Sequence, residues 1–550
     1  MSSASTPQRK PIADLLLVSP ISAGQLSVSP RKRKITPTAE ATSPKKLAVI
    51  TSLGAVSPFA NSIPRTILPN PLRWPGHAEL AHIDERSSLY EFTRNPLKMD
   101  TSGQEFTPNP LKMNTSGQEF TPNPLKMDTP EQDLQQSPPL ARHLIFSFDL
   151  RNDKSGWADP KKMPLLRSVV PGTTGISCDG WFIYLLVRTL PPKPWPLTIA
   201  GLPLYFHTPT TLGQGPLPQG KLVTRKNGYL AEDQDYRNMK NWEPLFKVIQ
   251  KHFEENINIS ITEVIYLGNV VYIVLEHRQT DMTKVPWLIG KATCVYLYDD
   301  EMGRPSKLHA RRQHDLTQGN PDISMYDTLQ PGLRVTSNYL PDSSDAYLET
   351  TTGVLLKDSV GNEFMTVAAH GFPSEAGTTV FHVSPGETGR VIGELIMEIT
   401  HTDIALVKLA ATEKFSNVTF QNDQMPESTQ LRRLCPTEHY GQLSPICLDS
   451  PDSGFLDGYF MAPAFAKMSA DDGSPTQHWA YTTWSYMGED AAAKLPEGMC
   501  GSAMWDANGN VLGFFRYAAV EGAMKNWRAG IAADELINRG YTLADTPDVK

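Results

Sequence analysis

A thiol, an imidazole and a carboxylate in the last third of this 550-residue chain are the chemical groups that nucleophilic hydrolysis uses. They occur in the phrases T-V-A-A-H-G at His370, H-T-D-I-A-L-V-K-L at Asp403, and G-M-C-G-S-A-M-W-D-A-N-G-N-V-L-G-F-F around Cys500. A cysteine thiolate attacks a carbonyl carbon, and an adjacent histidine lowers the thiol pKa and protonates the leaving amine. An aspartate holds that imidazole in the required tautomer.

Glycines flank Cys500 at the two positions where a nucleophile turn needs backbone freedom. Gly498 lies two residues before it and Gly501 directly after it. Glycine at these positions lets the chain turn so that two amides face the developing oxyanion, here the amides of Gly498 and Cys500. Ser502 is the competing nucleophile, but neither glycine has the same position relative to it. We therefore interpret Cys500 as the nucleophile.

The three phrases resemble those of the chymotrypsin-like (trypsin-like, PA-clan) serine and cysteine peptidases. In that superfamily the catalytic histidine lies in the motif T-A-A-H, the aspartate in D-I-A-L and the nucleophile in G-D-S-G-G-P. Its viral cysteine members have G-x-C-G at the nucleophile. The spacings, 403 − 370 = 33 and 500 − 403 = 97 residues, fit a double barrel. The resemblance covers roughly residues 345–541. It implies that Cys500 is the nucleophile, His370 the general base and acid, and Asp403 the group that orients His370.

The resemblance also points to a substrate pocket and to one departure. In relatives the base of the pocket lies six residues before the nucleophile, which here is Lys494, and a wall strand runs near Arg516 and Tyr517. Two cations predict a preference for an acidic side chain, whereas the alternative is that Lys494 points to solvent. Met499 replaces the aspartate that captures a new amino terminus in secreted relatives, so we expect no activation by proteolytic trimming.

The elements that must position these residues follow from local patterns. The Asn508-Gly509 pair predicts a hairpin after Cys500, and residues 533–539 predict a C-terminal helix. Apolar runs at residues 181–187 and 270–275 predict strands, and Gly268-Asn269 predicts a second hairpin. Residues 241–253 predict a helix, because apolar side chains recur there at helical spacing. Those side chains are Leu245, Val248, Ile249 and Phe253.

The predicted organisation has three parts. An all-β chymotrypsin-like double barrel is expected at residues 345–545, preceded by an α+β accessory domain of unknown function at residues 141–335. Residues 1–140 are rich in Pro, Ser and Thr and predict a long disordered tail, because such a composition buries too little apolar surface to offset chain entropy. This layout resembles fungal multidomain proteins that join such an accessory domain to a peptidase-like one.

The tail contains two notable segments. A 14-residue repeat occupies residues 91–132, with units that begin at Glu91, Glu105 and Glu119. We interpret it as a duplicated linker, and repeated docking motifs are the alternative. A basic cluster could bind a nuclear import receptor or nucleic acid. The cluster is Arg31, Lys32, Arg33 and Lys34.

Cysteine usage, hydropathy and charge bound the setting. The cysteines form an odd, sparse set without zinc-ligand spacing, which favours a reducing compartment. No signal peptide or membrane-length apolar run is visible. The net charge of −8 argues against nucleic-acid binding by the folded part. We expect an intracellular protein, in the nucleus or cytoplasm, with no cofactor, no metal and no membrane partner. The cysteines are Cys178, Cys294, Cys435, Cys447 and Cys500.

Two functions are compatible with these observations. The first is an endopeptidase that cuts a peptide or protein substrate through a Cys-His-Asp triad and a covalent acyl-enzyme. The second is a catalytically inactive scaffold that acts through its accessory domain and repeats, because a fold can persist after its catalysis is lost.

Overall fold

The computed structural model describes residues 81–83, 142–151, 159–211, 215–224, 226–305, 311–312, 324–342, 346–386, 389–421, 427–451, 453–469, 477–489, 495, 498–519 and 521–544. The repeats, the basic cluster and Lys494 lie outside these residues. The described chain falls into two compact units, divided between residues 213 and 214. No helix among the described residues is long and apolar enough to cross a membrane.

The smaller unit is a mixed sheet with one helix, α1 (Lys162–Ser168). Its strands are β1 (Ala81–Ile83), β2 (His143–Phe146), β3 (Thr173–Cys178), β4 (Ile183–Val187), β5 (Thr198–Ile199) and β6 (Leu202–His207). They pair in the order β1-β2-β5-β6-β4-β3. Buried and half-buried residues alternate along β4, so one of its faces packs against the core of this unit.

The larger unit begins with a sheet that carries one amphipathic helix, α2 (Glu243–Gln250), which continues into a π-helical turn (Lys251–Asn256). The strands are β7 (Tyr229–Leu230), β8 (Ile261–Leu267), β9 (Val270–Leu275), β10 (Leu288–Ile289) and β11 (Ala292–Tyr298). The predicted helix is confirmed, and Leu245, Ile249 and Phe253 are fully buried on its inner face. The predicted hairpin at Gly268 is confirmed by the antiparallel pairing of β8 with β9.

The next strands curl into a barrel. They are β12 (Arg311–Arg312), β13 (Thr328–Leu329), β14 (Arg334–Thr336), β15 (Leu348–Thr351), β16 (Leu355–Lys357), β17 (Glu363–Ala368), β18 (Thr379–His382), β19 (Arg390–Ile399), β20 (Ile404–Leu409) and β21 (Lys414–Phe415). Of these strands, β13 and β21 pair with each other in a separate two-stranded sheet, and β12 adds to the edge at β15. In the barrel sheet the order runs β15-β14-β18-β19-β20-β17-β16. Because β15 and β16 are successive parts of one bent segment, that segment joins the two ends of the sheet and closes the first barrel.

A second barrel follows. Its strands, with the helix and flanking strands, are β22 (Arg433–Leu434), β23 (Ser444–Ser450), β24 (Gly454–Ser469), β25 (Gln477–Tyr486), β26 (Ala503–Trp505), β27 (Asn510–Ala518), β28 (Trp527–Ala532), α3 (Asp534–Ile537) and β29 (Thr542–Leu543). The ring β23-β26-β27-β28-β25-β24 closes through the β23–β24 pairing. The β26–β27 hairpin and the C-terminal helix are both as predicted. Two closed antiparallel barrels in succession make the chymotrypsin-like double barrel that the sequence predicts.

The sheet formed by β7 to β11 is hydrogen-bonded to the second barrel and extends it. The long strand β24 pairs with β25 along one edge, and its residues 464–466 pair with β8 along the other. Phe246 of α2 stacks on Phe465 of β24, with ring centroids 4.1 Å apart. The boundary predicted between residues 335 and 345 therefore separates strands that share one hydrogen-bonded sheet.

Candidate active site

His370 lies where β17 ends. The small, buried residues Ala368 and Ala369 lead into a 3₁₀ turn (Ala369–Gly371), which presents the imidazole at the tip of the strand. The amide of Ala369 donates to the carbonyl oxygen of Asp403 at 2.9 Å, which brings the turn against the β19–β20 connection. The His370 side chain is only 7% exposed, so water is largely excluded from it.

Asp403 lies directly before β20 and is bonded to His370 in two ways. Its Oδ1 accepts the backbone amide of His370 at 3.1 Å, and both of its carboxylate oxygens are 2.9 Å from Nδ1 of the ring. Asp403 has a φ of 58°, a left-handed conformation that is uncommon for a residue other than glycine. Such strained backbone positions persist where the surrounding structure holds them, often at functional sites.

The buried pair has shifted pKa values in both partners. Burial by itself lowers the pKa of His370, but the Asp403 carboxylate and the nearby Cys500 side chain outweigh burial and raise that pKa to about 10. Burial by itself raises the pKa of Asp403, but His370 and then Arg516 outweigh it, so the pKa of Asp403 is lowered. The arrangement therefore favours an ionised carboxylate beside a histidine that readily accepts a proton.

Cys500 lies in a turn that only glycine can complete. Gly498 and Gly501 have φ values of 87° and 93°. A Cβ on Gly501 would lie 2.6 Å from the carbonyl oxygen of Thr351 and 2.7 Å from the amide nitrogen of Ala368. The turn therefore packs directly on the first barrel, beside the end of β17 that leads to His370.

Two threonines of β15 secure this turn. The Thr351 amide donates to the carbonyl oxygen of Cys500 at 3.1 Å, and the Thr351 hydroxyl donates to that of Gly498 at 2.7 Å. The Thr350 hydroxyl also donates to the Cys500 carbonyl. The carbonyl oxygens of the turn are thus hydrogen-bonded. The amides of Gly498 and Cys500, in contrast, donate to no group among the described residues.

No hydrogen bond joins the thiol to Nε2 of His370 among the described residues, although the Cys500 side chain is near enough to raise the pKa of His370. The Cys500 thiol donates to the carbonyl oxygen of Arg516 at 2.9 Å. Nε2 of His370 is buried and has no hydrogen-bond partner among the described residues. Nε2 therefore has no competing partner, and because the pKa of His370 is raised to about 10, the ring holds the proton of a thiolate–imidazolium pair once the thiol turns from Arg516 towards it.

Ser502 is engaged elsewhere. Its side chain is buried, and its hydroxyl donates to the carbonyl oxygen of Met499 at 2.7 Å. The Ser502 amide donates to the same oxygen at 3.0 Å. This serine thus closes the turn internally, as expected for a structural residue.

The residues predicted for the substrate pocket lie in different environments. Lys494 is outside the described residues. Nε of Arg516 points to Asp403, 3.4 Å from Oδ2. Tyr517 is buried, its ring packs edge-to-face on Trp484 at 6.0 Å, and burial raises its pKa. His401, two residues before Asp403, is half-buried, with its ring centroid 4.2 Å from that of His478.

A β-bulge explains where Arg516 points. In the β27–β28 pairing Phe515 is opposite Gly530 and Tyr517 is opposite Ala529, so Arg516 is the extra residue. Bulges change the direction of a side chain, and they cluster near active sites. Sequence reasoning did not identify Thr350, Thr351 or the contact of Arg516 with Asp403. The run of three threonines before Gly353 carries no motif that would have singled out Thr350 and Thr351.

Comparisons with known proteins add structural likenesses. No family model matches the sequence, and no curated protein matches it. Similar solved structures include a glutamic acid specific serine protease that uses a histidine triad in substrate binding, Nocardiopsis protease, and Cellulomonas bogoriensis chymotrypsin. Their identities are 13%, 12% and 13%, with TM-scores of 0.29, 0.28 and 0.27. The alignments cover 39%, 40% and 40% of this chain and 100% of each of theirs. The double barrel is defined by its strand pairings, independently of these likenesses.

Proposed function

We propose that this chain is a cysteine endopeptidase in which Cys500, His370 and Asp403 form the catalytic triad. The observation that carries the proposal is the buried His370, which is bonded to Asp403 through Nδ1 while Nε2 stays free beside a thiol. Nucleophile, base and orienting carboxylate in this relation are the arrangement required for acyl transfer.

The reaction follows from these positions. Nε2 of His370 takes the Cys500 proton, and the thiolate attacks the carbonyl carbon of the scissile bond. The amides of Gly498 and Cys500 donate to the resulting oxyanion, and loss of one such donor typically costs about 3 kcal/mol of transition-state stabilisation. The imidazolium then protonates the leaving amine, which leaves a thioester. Water, deprotonated by His370, attacks the thioester carbon, and the carboxylic acid product departs as the Cys500 thiolate re-forms.

One experiment tests the mechanism without knowledge of the substrate. The full chain is labelled with iodoacetamide from pH 5 to pH 9, and modification of the Cys500 peptide is followed by mass spectrometry. We expect fast labelling at pH 6 that collapses in His370→Ala, since an unpaired thiol has a pKa of about 8.5. Labelling that rises only near pH 8.5 and does not depend on His370 would contradict the proposal.

A cleavage assay tests the reaction class. A mixture of synthetic peptides is incubated with the full chain and with Cys500→Ala, and new termini are identified by mass spectrometry. We expect cleavage by the wild type alone. Peptides with and without Asp or Glu at the cut position test the acidic preference that the sequence predicts from two cations, of which Arg516 is engaged with Asp403.

One observation favours the scaffold function as a second candidate. The Cys500 thiol donates to Arg516 and not to His370, which is the bond that a neutral, resting thiol makes. A scaffold predicts slow labelling of Cys500 and no cleaved peptide in the assays above.

We also propose an intracellular location, in the nucleus or cytoplasm, with an import receptor as the partner of the basic cluster. The support is the sequence of Arg31, Lys32, Arg33 and Lys34. A fluorescent fusion of the full chain tests it against a variant with four alanines in the cluster. Unchanged nuclear signal in that variant would exclude the cluster as an import signal.

A further inference from the structure

Arg516 contacts both ends of the proposed triad. Its Nε lies 3.4 Å from Oδ2 of Asp403, and its carbonyl oxygen accepts the Cys500 thiol at 2.9 Å. The side chain of Asp403 is 3% exposed and that of Arg516 is 20% exposed, so their interaction is only partly screened by water. The bulge at Arg516 allows the side chain and the carbonyl of one residue to reach both partners.

Among the described residues, the carboxylate that pairs with Arg516 is that of Asp403. A cavity of about 30 Å³ is lined by Arg516, Glu263 and Arg304 among others. Glu263 is buried, accepts from Trp484 at 2.7 Å, and is paired with Arg304 at 2.5 Å. Glu263 shares Arg304 with Asp299, and no ion pair joins Glu263 to Arg516 among the described residues.

The charge of the site depends on Arg516. With Arg516 present, the net charge of the site is zero, because the carboxylate and the thiolate balance the imidazolium and the guanidinium. Without it, the same groups carry one net negative charge in a buried place, which favours uptake of a proton. The charged and titratable groups around Arg516 are Asp403, His370 and Cys500 at the site, and Glu263, Arg304, Lys467 and Tyr517 around the cavity.

We propose that Arg516 is a positioning residue, not a wall of the substrate pocket: its guanidinium holds Asp403 ionised and oriented towards His370, and its carbonyl oxygen holds the resting thiol. This inference rests on the proposed peptidase function. The guanidinium acts through Asp403 and does not touch the substrate. Its loss should therefore alter the ionisation of the Cys500–His370 pair.

The experiment compares iodoacetamide labelling of Cys500 in the full chain across pH. Arg516→Met removes the charge and the donor, Arg516→Gln retains a donor without charge, and Arg516→Lys retains the charge. Arg433→Met is the matched control, because Arg433 is exposed and bonds to Asn510. We expect the labelling midpoint to move up by about one pH unit in Arg516→Met and Arg516→Gln, the shift typical of a lost opposite charge. Arg516→Lys, which keeps the positive charge, should label with a midpoint close to that of the wild type.

The outcomes separate the inference from the function on which it rests. If the wild type labels only near pH 8.5, independently of His370, the peptidase proposal fails. If the wild type labels fast at pH 6 and both uncharged variants follow the same curve, the role of Arg516 is overturned and the peptidase proposal stands. Urea unfolding transitions show which variants are folded. If Arg516→Met does not fold, the labelling curve of Arg516→Gln tests the role of Arg516.

Discussion

His370 and Asp403 are joined by their backbone as well as by their side chains. The carboxylate of Asp403 accepts one hydrogen bond from the His370 amide at 3.1 Å and another from Nδ1 of the ring at 2.9 Å. The Asp403 carbonyl oxygen accepts the neighbouring amide of Ala369 at 2.9 Å. One carboxylate thereby fixes both the position of the turn and the rotation of the ring, which leaves Nε2 as the ring nitrogen without a partner among the described residues.

Asp403→Asn should disable the thiol while the fold persists. An asparagine side chain can present an NH₂ group to Nδ1, and the proton of a neutral ring then moves to Nε2, which can no longer accept the thiol proton. We expect iodoacetamide labelling of Cys500 at pH 6 to fall at least about tenfold, equivalent to a rise of one unit in the thiol pKa. Unchanged labelling in a folded Asp403→Asn protein would argue against an orienting role.

The same pair predicts how stability depends on pH. The pKa of His370 is raised to about 10 in the folded protein, against a usual value of 6.5. Its contribution to the free energy of unfolding is therefore complete below pH 6.5 and lost as the pH rises through about 10. The pKa of Asp403 is lowered, so its contribution is present above its usual value of 3.8 and is lost as the pH falls through the folded value.

Urea unfolding at pH 6, 8 and 9.5 tests the histidine part of this prediction. The wild type should lose stability along that series relative to His370→Gln, which has no titrating ring. Because all other titrating groups are the same in both proteins, their effect on stability cancels when His370→Gln is the reference. Parallel stability curves for the two proteins would show that His370 carries no raised pKa.

Gly501 should tolerate no side chain. Its φ of 93° and the approach of Thr351 to 2.6 Å from a built Cβ predict that Gly501→Ala costs about 3 kcal/mol or more. Gly361→Ala is the matched control, because Gly361 has a φ of 90° and nothing lies within 4 Å of its Cβ position. That change should cost only about 1 kcal/mol of backbone strain. Equal losses in the free energy of unfolding would mean that the turn does not pack on the first barrel as described.

The sequence predicted the parts of this site that depend on short local patterns. The three phrases, the Asn508-Gly509 hairpin and the helix at residue 243 each need only neighbouring residues, and the structure contains the hairpin and the helix as expected. Two features could not be predicted, because they depend on register between distant strands. The bulge that aims Arg516 at Asp403 interrupts a regular alternation, and the pairing of β8 with β24 joins segments that no local pattern links.

Ser502→Ala should separate the two candidate nucleophiles. We expect peptide cleavage and fast Cys500 labelling to persist, because the Ser502 hydroxyl is buried and bonded to Met499. The variant should lose about 1 kcal/mol of stability with that hydrogen bond. Cys500→Ala should show the reverse pattern, with cleavage lost and the fold retained. Cleavage that survives in Cys500→Ala and disappears in Ser502→Ala would transfer the nucleophile role to the serine.

Arg528 carries a buried charge for which the described residues provide no carboxylate partner. It is 1% exposed in β28, and among the described residues its guanidinium donates to the carbonyl oxygens of Lys525 and Trp527 and to no carboxylate. Burial lowers the pKa of Arg528 to about 10, partly offset by Tyr486.

Replacing such a charge with an apolar side chain of similar length usually preserves or raises stability, by about 1 kcal/mol or more. We therefore expect Arg528→Met to unfold at an equal or higher urea concentration than the wild type. Arg304→Met is the contrasting variant, because it leaves the buried Glu263 without its cation and should lose about 3 kcal/mol. A similar loss in both variants would mean that Arg528 has a stabilising partner in the folded protein.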